Sequence, residues 1–338
     1  MNRTYIIAEA GVNHNGSIDL ALEMISKAKS IGVDCIKFQT FKTNKIVTKT
    51  SPKANYQMNA TNPRESQFEM LKKLELSKDD YLKIIKSCKD HKIDFMSTPY
   101  SFEDIDFLDQ LGVKSFKIAS GQLTELPFLK CVASKKKEIF LSTGMSYFSE
   151  VLKAVETIKS ISDAPLTIMQ CTTNYPSIIE DANLNVLKKF MEIPDVNVGY
   201  SDHIENNLAC LASVSLGVKS IEKHITLDKN LDGPDHSCSL EFKEFKQLIT
   251  EIRIIEKAMG SYVKKPSQAE IENSFGMKRS LFAEKKIRKG EIINSSMLAF
   301  KRPSSGLSPN HYNLILGKKA ANEIQKDTMI LLKDVLFD

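Results

Sequence analysis

The residues best suited to chemistry in this chain sit in two short segments, Ser201-Asp202-His203 and Glu222-Lys223-His224. Each closes an apolar, β-branched run, over residues 196–200 and 218–221. The two histidines are 21 residues apart, about one strand–helix repeat, so a parallel barrel would set them side by side on neighbouring strands at one rim. Period-two alternation puts Ser201 on the face of His203 and Glu222 on the face of His224. Two neutral imidazoles so placed make a candidate two-histidine metal site. A single strand-end histidine is usually just a hydrogen-bonded polar residue. Here the arrangement occurs twice in register, each time with a polar partner two residues earlier.

The other expected strand ends carry a matching set of polar groups. They are Glu9, then Lys37 and Gln39, then Thr98 in Ser97-Thr98-Pro99, then Lys117 and Ser120-Gly121. Ser142-Thr143-Gly144 and Cys171-Thr172-Thr173-Asn174-Tyr175 follow, and Asp235 lies in the loop beyond the eighth strand. A lysine pointing into a barrel is costly without a counter-charge. Lys37 and Lys117 therefore imply a bound anion, and the nearby hydroxyls and backbone amides suit phosphate. Glu9 is a candidate acid–base group. Ser142-Thr143-Gly144 would serve equally as a helix cap, and Asp235 equally as a turn residue.

These groups need a scaffold that brings eight strand ends together. Strand patterns fall at residues 4–10, 33–40, 93–98, 115–120, 138–143, 166–172, 196–201 and 218–224. Amphipathic helix patterns lie between them, and another over 242–259 closes the series, as in a (β/α)8 TIM barrel. A doubly wound open sheet is the rival, but its Gly-rich phosphate turn is missing. Residues 1–262 are expected to form the barrel, 263–278 a linker and 279–338 a small strand-rich domain, with strand patterns at 280–283, at 287–293 around a Lys289-Gly290 turn, and at 298–301. The polar stretch 42–77 is an insertion after the second strand, suited to a lid or an oligomer contact. A net charge of +5, with both signs dispersed, gives no reason to expect nucleic acid. Six cysteines without a C-x-x-C pair, no apolar signal-peptide core and no run of 18 apolar residues lead us to expect a reduced, cytoplasmic protein with no membrane span.

At these motifs the chain resembles the sialic acid synthase family. The resemblance runs over nearly the whole length. It is carried by residues 8–16 (AEAGVNHNG), 37–40 (KFQT), 97–99 (STP), 116–118 (FKI), 141–145 (LSTGM), 199–203 (GYSDH), 221–224 (IEKH) and 233–236 (GPDH). It implies a TIM barrel followed by an antifreeze-like (SAF) domain. It further implies condensation of phosphoenolpyruvate with an N-acylated mannose-type sugar and release of phosphate. By this resemblance His203 and His224 bind a divalent metal, Mn2+ before Mg2+ or Co2+. Lys37, Thr98, Lys117, Ser120, Ser142, Tyr175 and Ser201 hold phosphoenolpyruvate. Glu9 and Glu222 join the histidines at the reacting centre, and Gln39 and Asp235 meet the sugar. Arg302 reaches the partner's barrel in a domain-swapped homodimer and contacts the N-acyl group of the sugar. N-acetylmannosamine, giving N-acetylneuraminate, is the favoured sugar. The alternative is 2,4-diacetamido-2,4,6-trideoxymannose, giving N,N'-diacetyllegionaminate. Where some members have Asn two residues before the tyrosine this chain has Thr173, so the contact falls to either Thr173 or Asn174. More remote readings are a Schiff-base aldolase using Lys37 or Lys117, and a non-enzymatic carbohydrate-binding protein.

Overall fold

The alternating and β-branched runs form eight strands, each within two residues of its expected bounds. They are β1 (Tyr5–Gly11), β2 (Cys35–Thr40), β3 (Asp94–Pro99), β4 (Ser115–Ile118), β5 (Glu138–Ser142), β6 (Leu166–Cys171), β7 (Asn197–Asp202) and β8 (Ser220–Thr226). The computed structural model, which describes residues 3–62 and 64–337, pairs each strand in parallel with the next and closes β8 onto β1. This is the expected TIM barrel. Eight helices alternate with the strands, from Ile18–Ser30 to Phe242–Met259. Local chemistry starts several of them. The Ser77 hydroxyl accepts from the Asp80 amide while the Asp80 carboxylate accepts from the Ser77 amide, a reciprocal cap at the head of Lys78–His91.

Period two splits each strand between two environments. Outward residues such as Ile6, Ile36, Phe116, Leu141, Ile168 and Ile221 are buried against the helices in one large core. Inward residues form tiers. Ile7, Cys35, Met96, Phe140 and Met169 make an apolar plug inside the barrel. Two residues further along the same strands stand Glu9, Lys37, Thr98, Ser142 and Cys171. One turn of alternation therefore carries each strand from a dry floor to a polar tier above it. A fully buried apolar side chain contributes about 1.5–3 kcal/mol, so the floor helps stabilise the closed barrel that the polar tier strains.

The insertion after β2 folds as three short helices, Thr43–Ile46, Asn55–Ala60 and Gln67–Lys72. Buried Lys53 fastens it, pairing with Glu65 at 3.1 Å and donating to the Thr61 hydroxyl and the Asn62 carbonyl at 2.7 Å each. It packs on the loop after β1, where Gly16 has φ +74° and a Cβ would collide with the Lys73 carbonyl.

The chain divides into two compact units, Met1–Gly260 and Ser261–Asp338. The second has its own core, including Leu281, Ile287, Ile293, Ile315, Ile324 and Ile330. Antiparallel strands Ser280–Ala283 and Leu298–Lys301 form one ribbon, and Lys319–Ala320 pairs with Val335–Leu336 in another. Two local expectations change. Residues 263–278, read as a linker, carry the helix Gln268–Met277, started by a Ser267–Glu270 capping box that the polar composition concealed. Residues 287–293 are not a strand. The Lys289-Gly290 turn, with Gly290 at φ +78°, leaves only isolated bridges at Ile287 and Ile292. No helix among the described residues is long and apolar enough to cross a membrane.

Replacing Gly16 with Ala should destabilise the barrel unit by about 1–3 kcal/mol, because the residue must both hold a left-handed φ and displace backbone rather than a side chain. Urea unfolding checks this. A midpoint equal to the parent's would mean the insertion is not anchored at Gly16.

Candidate active site

The polar tier opens into a cavity of about 380 Å³ at the C-terminal ends of the strands. Every barrel residue assigned a metal, phosphoenolpyruvate, sugar or catalytic role, from Glu9 to Asp235, lines it. Its floor is a chain of alternating charges. Lys37 Nζ lies 2.8 Å from Glu9 Oε2 and 3.7 Å from Glu222 Oε1, and donates to Thr98 Oγ1 at 3.3 Å. Lys117 Nζ donates to the same Glu222 oxygen at 2.9 Å, as does the Ser201 hydroxyl at 3.1 Å. Gln39 Nε2 donates to Glu9 Oε1 at 3.2 Å. The Glu9–Lys37 contact is an ion pair without hydrogen-bond alignment, so Glu9 Oε2 keeps no aligned donor.

This arrangement corrects one step of the sequence argument. The two lysines do not need a bound anion to offset them, since each already faces a carboxylate. What favours an anion is the unequal state of those carboxylates. Burial would raise the pKa of Glu222, but Lys117 and Lys37 outweigh it and hold the carboxyl at about 2. For Glu9, burial prevails over Lys37, and its pKa is raised. Were Glu9 to take up a proton, two ammonium groups would face one carboxylate.

The imidazoles stand two residues beyond Ser201 and Glu222, and His224 is in register with Glu9. The His203 and His224 rings are 5.3 Å apart, from the exit of β7 and the end of β8. His203 Nδ1 lies 2.6 Å from the Thr172 carbonyl, which can only accept, so Nδ1 carries the proton and, in the neutral ring, Nε2 carries the lone pair. Burial, then the neighbouring His203 and Lys37, push the His224 pKa well below its usual value, keeping this ring neutral. His224 Nδ1 is buried without a hydrogen bond, 3.9 Å from an Asp235 oxygen. Burial, reinforced by Glu9, pushes the Asp235 carboxyl up to about 7. Two imidazoles with an adjacent carboxyl suit a divalent cation that keeps open positions. Among the described residues no three or more His, Cys, Asp or Glu side chains converge as a closed metal cage.

A third sector is hydroxylic. Ser120 Oγ accepts from the Gly144 amide at 3.0 Å, while Ser142 Oγ and Thr173 Oγ1 are buried without partners. A Cβ at Gly144 would collide with Thr173 Oγ1 and come within 2.9 Å of Ser120 Oγ, so this glycine keeps a hydroxyl-lined hollow open. Thr173, not the exposed Asn174, faces the cavity. Tyr175 covers His203, with ring centroids 4.0 Å apart, and Tyr56 of the insertion stacks on Tyr175 at 4.8 Å. Tyr56, Gln57, Gln67 and Tyr100 line the cavity but were not picked out from the sequence. The one available signal was Tyr100 directly after Ser97-Thr98-Pro99. The insertion is thus a cavity wall. Arg302 belongs to the second unit, where its side chain is exposed.

Glu222 should be the most pH-sensitive support of this floor. Its folded pKa lies below the unfolded value of about 4.3, so its contribution is complete above about pH 5 and is lost as the pH falls through 2. Glu222→Gln should cost about 3–5 kcal/mol near neutrality, since it leaves buried ammonium groups underpaired. Urea unfolding of parent and variant should show this gap shrinking between pH 5 and pH 2, and a gap that widens would contradict the assignment.

Comparison with known proteins agrees with this architecture and these motifs. Residues 24–264 match the NeuB family model and residues 278–336 the SAF domain model. The chain is 43% identical over 332 residues to the N,N'-diacetyllegionaminic acid synthase of Campylobacter jejuni, covering 98% of this chain and 99% of that one. It is 40% identical to the enzyme of the same name from Legionella pneumophila, covering 98% and 94%. Among solved structures, the N-acetylneuraminic acid synthetase of Leptospira borgpetersenii aligns with a TM-score of 0.71 at 30% identity, over 80% of this chain and 90% of that one. The chain belongs to the NeuB family of sialic-acid-type synthases and carries a SAF domain over residues 278–336.

Proposed function

We propose that this protein condenses phosphoenolpyruvate with an N-acylated mannose-type sugar, with a divalent metal, Mn2+ first, held by His203 and His224. The observation that carries the reading is the meeting, in one cavity, of an imidazole pair, a lysine-bearing floor and a hollow of unpartnered hydroxyls. Among the two candidate sugars, the names of the Campylobacter and Legionella relatives favour 2,4-diacetamido-2,4,6-trideoxymannose over the N-acetylmannosamine expected from the sequence.

The phosphate and carboxylate of phosphoenolpyruvate suit Lys37, Lys117 and the hydroxyls of Ser120, Ser142, Thr173 and Ser201. These groups are already held by the barrel and need little reorganisation to receive charge. The metal, when bound, supplies Lewis-acid polarisation of the open-chain sugar aldehyde. C3 of phosphoenolpyruvate bonds to C1 of the sugar, and the aldehyde oxygen takes up a proton. Glu9, whose carboxyl burial shifts upward, is placed to exchange a proton with that oxygen or to orient the water that adds at C2. The tetrahedral carbon then expels phosphate by C–O cleavage, leaving a ketone. Glu222 stays ionised and holds both lysines in place. Gln39 and Asp235 face the sugar. By family resemblance Arg302 completes the partner's cavity in a domain-swapped homodimer.

A Schiff-base mechanism needs a lysine that is a free amine. Burial would lower the pKa of Lys37, yet Glu222 and Glu9 raise it above the usual lysine value, and Lys117 is paired with Glu222. Borohydride with a ketoacid should therefore leave no covalent adduct.

The reading is tested by phosphate release from phosphoenolpyruvate with each sugar. Release should require the sugar and be fastest with the 2,4-diacetamido compound. Faster turnover of N-acetylmannosamine would reverse the substrate order, and no release with either would sink the proposal. His203→Ala and His224→Ala should each lose Mn2+ stimulation, whereas full activity after chelation of the parent would remove the metal from the mechanism. Arg302→Ala should raise the sugar KM several-fold and leave the phosphoenolpyruvate KM nearly unchanged. An equal rise in both would argue against its contact with the N-acyl group.

A further inference from the structure

The middle residues of the two histidine segments, Asp202 and Lys223, are unused by the chemistry above. They are direct cross-strand partners on β7 and β8, and alternation turns them outward, away from the cavity. Their side chains are 0% and 1% exposed and form an ion pair. The strand positions on the same face, Tyr200, Ile204, Ile221 and Ile225, belong to the apolar outer core.

Stability alone is a poor reason for this pair. Replacing a buried ion pair with apolar groups of similar size is often neutral or stabilising. Its hydrogen bonds suggest a different role. Asp202 Oδ1 accepts from the Tyr200 hydroxyl at 3.0 Å and from the Ile204 amide at 3.2 Å. Asp202 Oδ2 also receives the Cys210 thiol at 3.2 Å. Lys223 Nζ donates to the Ile204 carbonyl and, at 3.1 Å, to the Asn206 carbonyl. Residue 203 is therefore gripped on both sides, through Asp202 before it and both backbone groups of Ile204 after it. Residue 224 follows directly on Lys223. A single ammonium on β8 ties down the backbone that leaves β7.

The geometry points to Asp202 and Lys223 as a positioning pair that sets the spacing and orientation of the His203 and His224 rings. Its kinetic consequence rests on the proposed function, but its structural content does not. The test uses the full-length double variant Asp202→Leu/Lys223→Met in metal-free form. The chain has six histidines, so the four others serve as internal references for the ring resonances of His203 and His224, read as imidazole 15N–1H signals. With the thermal midpoint held or raised, the signals of His203 and His224 should move or split while those of His91 and His311 stay in place. Mn2+ affinity, measured by titration, should fall about 10–100-fold, as for loss of outer-shell support at a metal site. Superimposable signals for both rings would overturn the inference. If the double variant does not fold, Asp202→Asn keeps the side-chain volume and the Oδ1 acceptor and should displace the same two signals, and unmoved signals there would overturn it equally. A parent that neither binds Mn2+ nor releases phosphate would defeat the proposed function, while the ring signals would still decide the role of the pair.

Discussion

Four buried charges, Glu9, Lys37, Glu222 and Lys117, alternate in sign across the inside of the barrel. An isolated charge in this position would cost far more than the net stability of a domain can absorb. Each is tolerable only because the others are there. They come from β1, β2, β8 and β4, so the ion chain exists only when β8 closes onto β1. Closure of the barrel and neutralisation of its interior are thus a single event. The apolar plug beneath, Ile7, Cys35, Met96, Phe140 and Met169, dries the floor and strengthens every attraction above it.

The same four residues divide the cavity. Glu222 is the shared counter-ion, so its proton is held off, whereas Glu9 is ion-paired with Lys37 alone and burial prevails, raising its pKa. Two chemically identical carboxyls thereby have their pKa values shifted in opposite directions by their surroundings. Unpartnered hydroxyls of Ser142 and Thr173 lie on one side of this floor and the neutral His224 ring with Asp235 on the other. An anion and a neutral electrophile can then occupy one cavity without competing for the same groups. The insertion adds an aromatic wall, Tyr56 against Tyr175, that shields the imidazoles from solvent.

Outside the barrel the rule is different. Asp202 and Lys223 lie where an apolar pair would serve for packing, and their hydrogen bonds run to the backbone that carries His203. Inside the barrel, charges face the chemistry. On this outer face, they hold the strands that present it.

The fold was legible because period-two and helical patterns alternate eight times with few interruptions, and each strand carries a polar residue at or near its C-terminal end. The site was legible by the same logic: Glu9, Lys37, Thr98, Lys117, Ser142, Ser201, Glu222 and His224 all follow from counting inward positions along strands. The helix over Gln268–Met277 was missed because capping residues in a polar stretch resemble a linker. Tyr56, Gln57 and Gln67 were missed because an insertion has no period that reveals which way its side chains turn. Sequence by itself determined which residues face the lumen, since alternation along a strand is a local property. Which lysine pairs with which carboxylate, that Glu9 and Glu222 differ, that Thr173 rather than Asn174 faces the cavity, and that Asp202 meets Lys223 were decided only in the tertiary structure. Those depend on distances between residues far apart in the chain, and only closure of the barrel sets them.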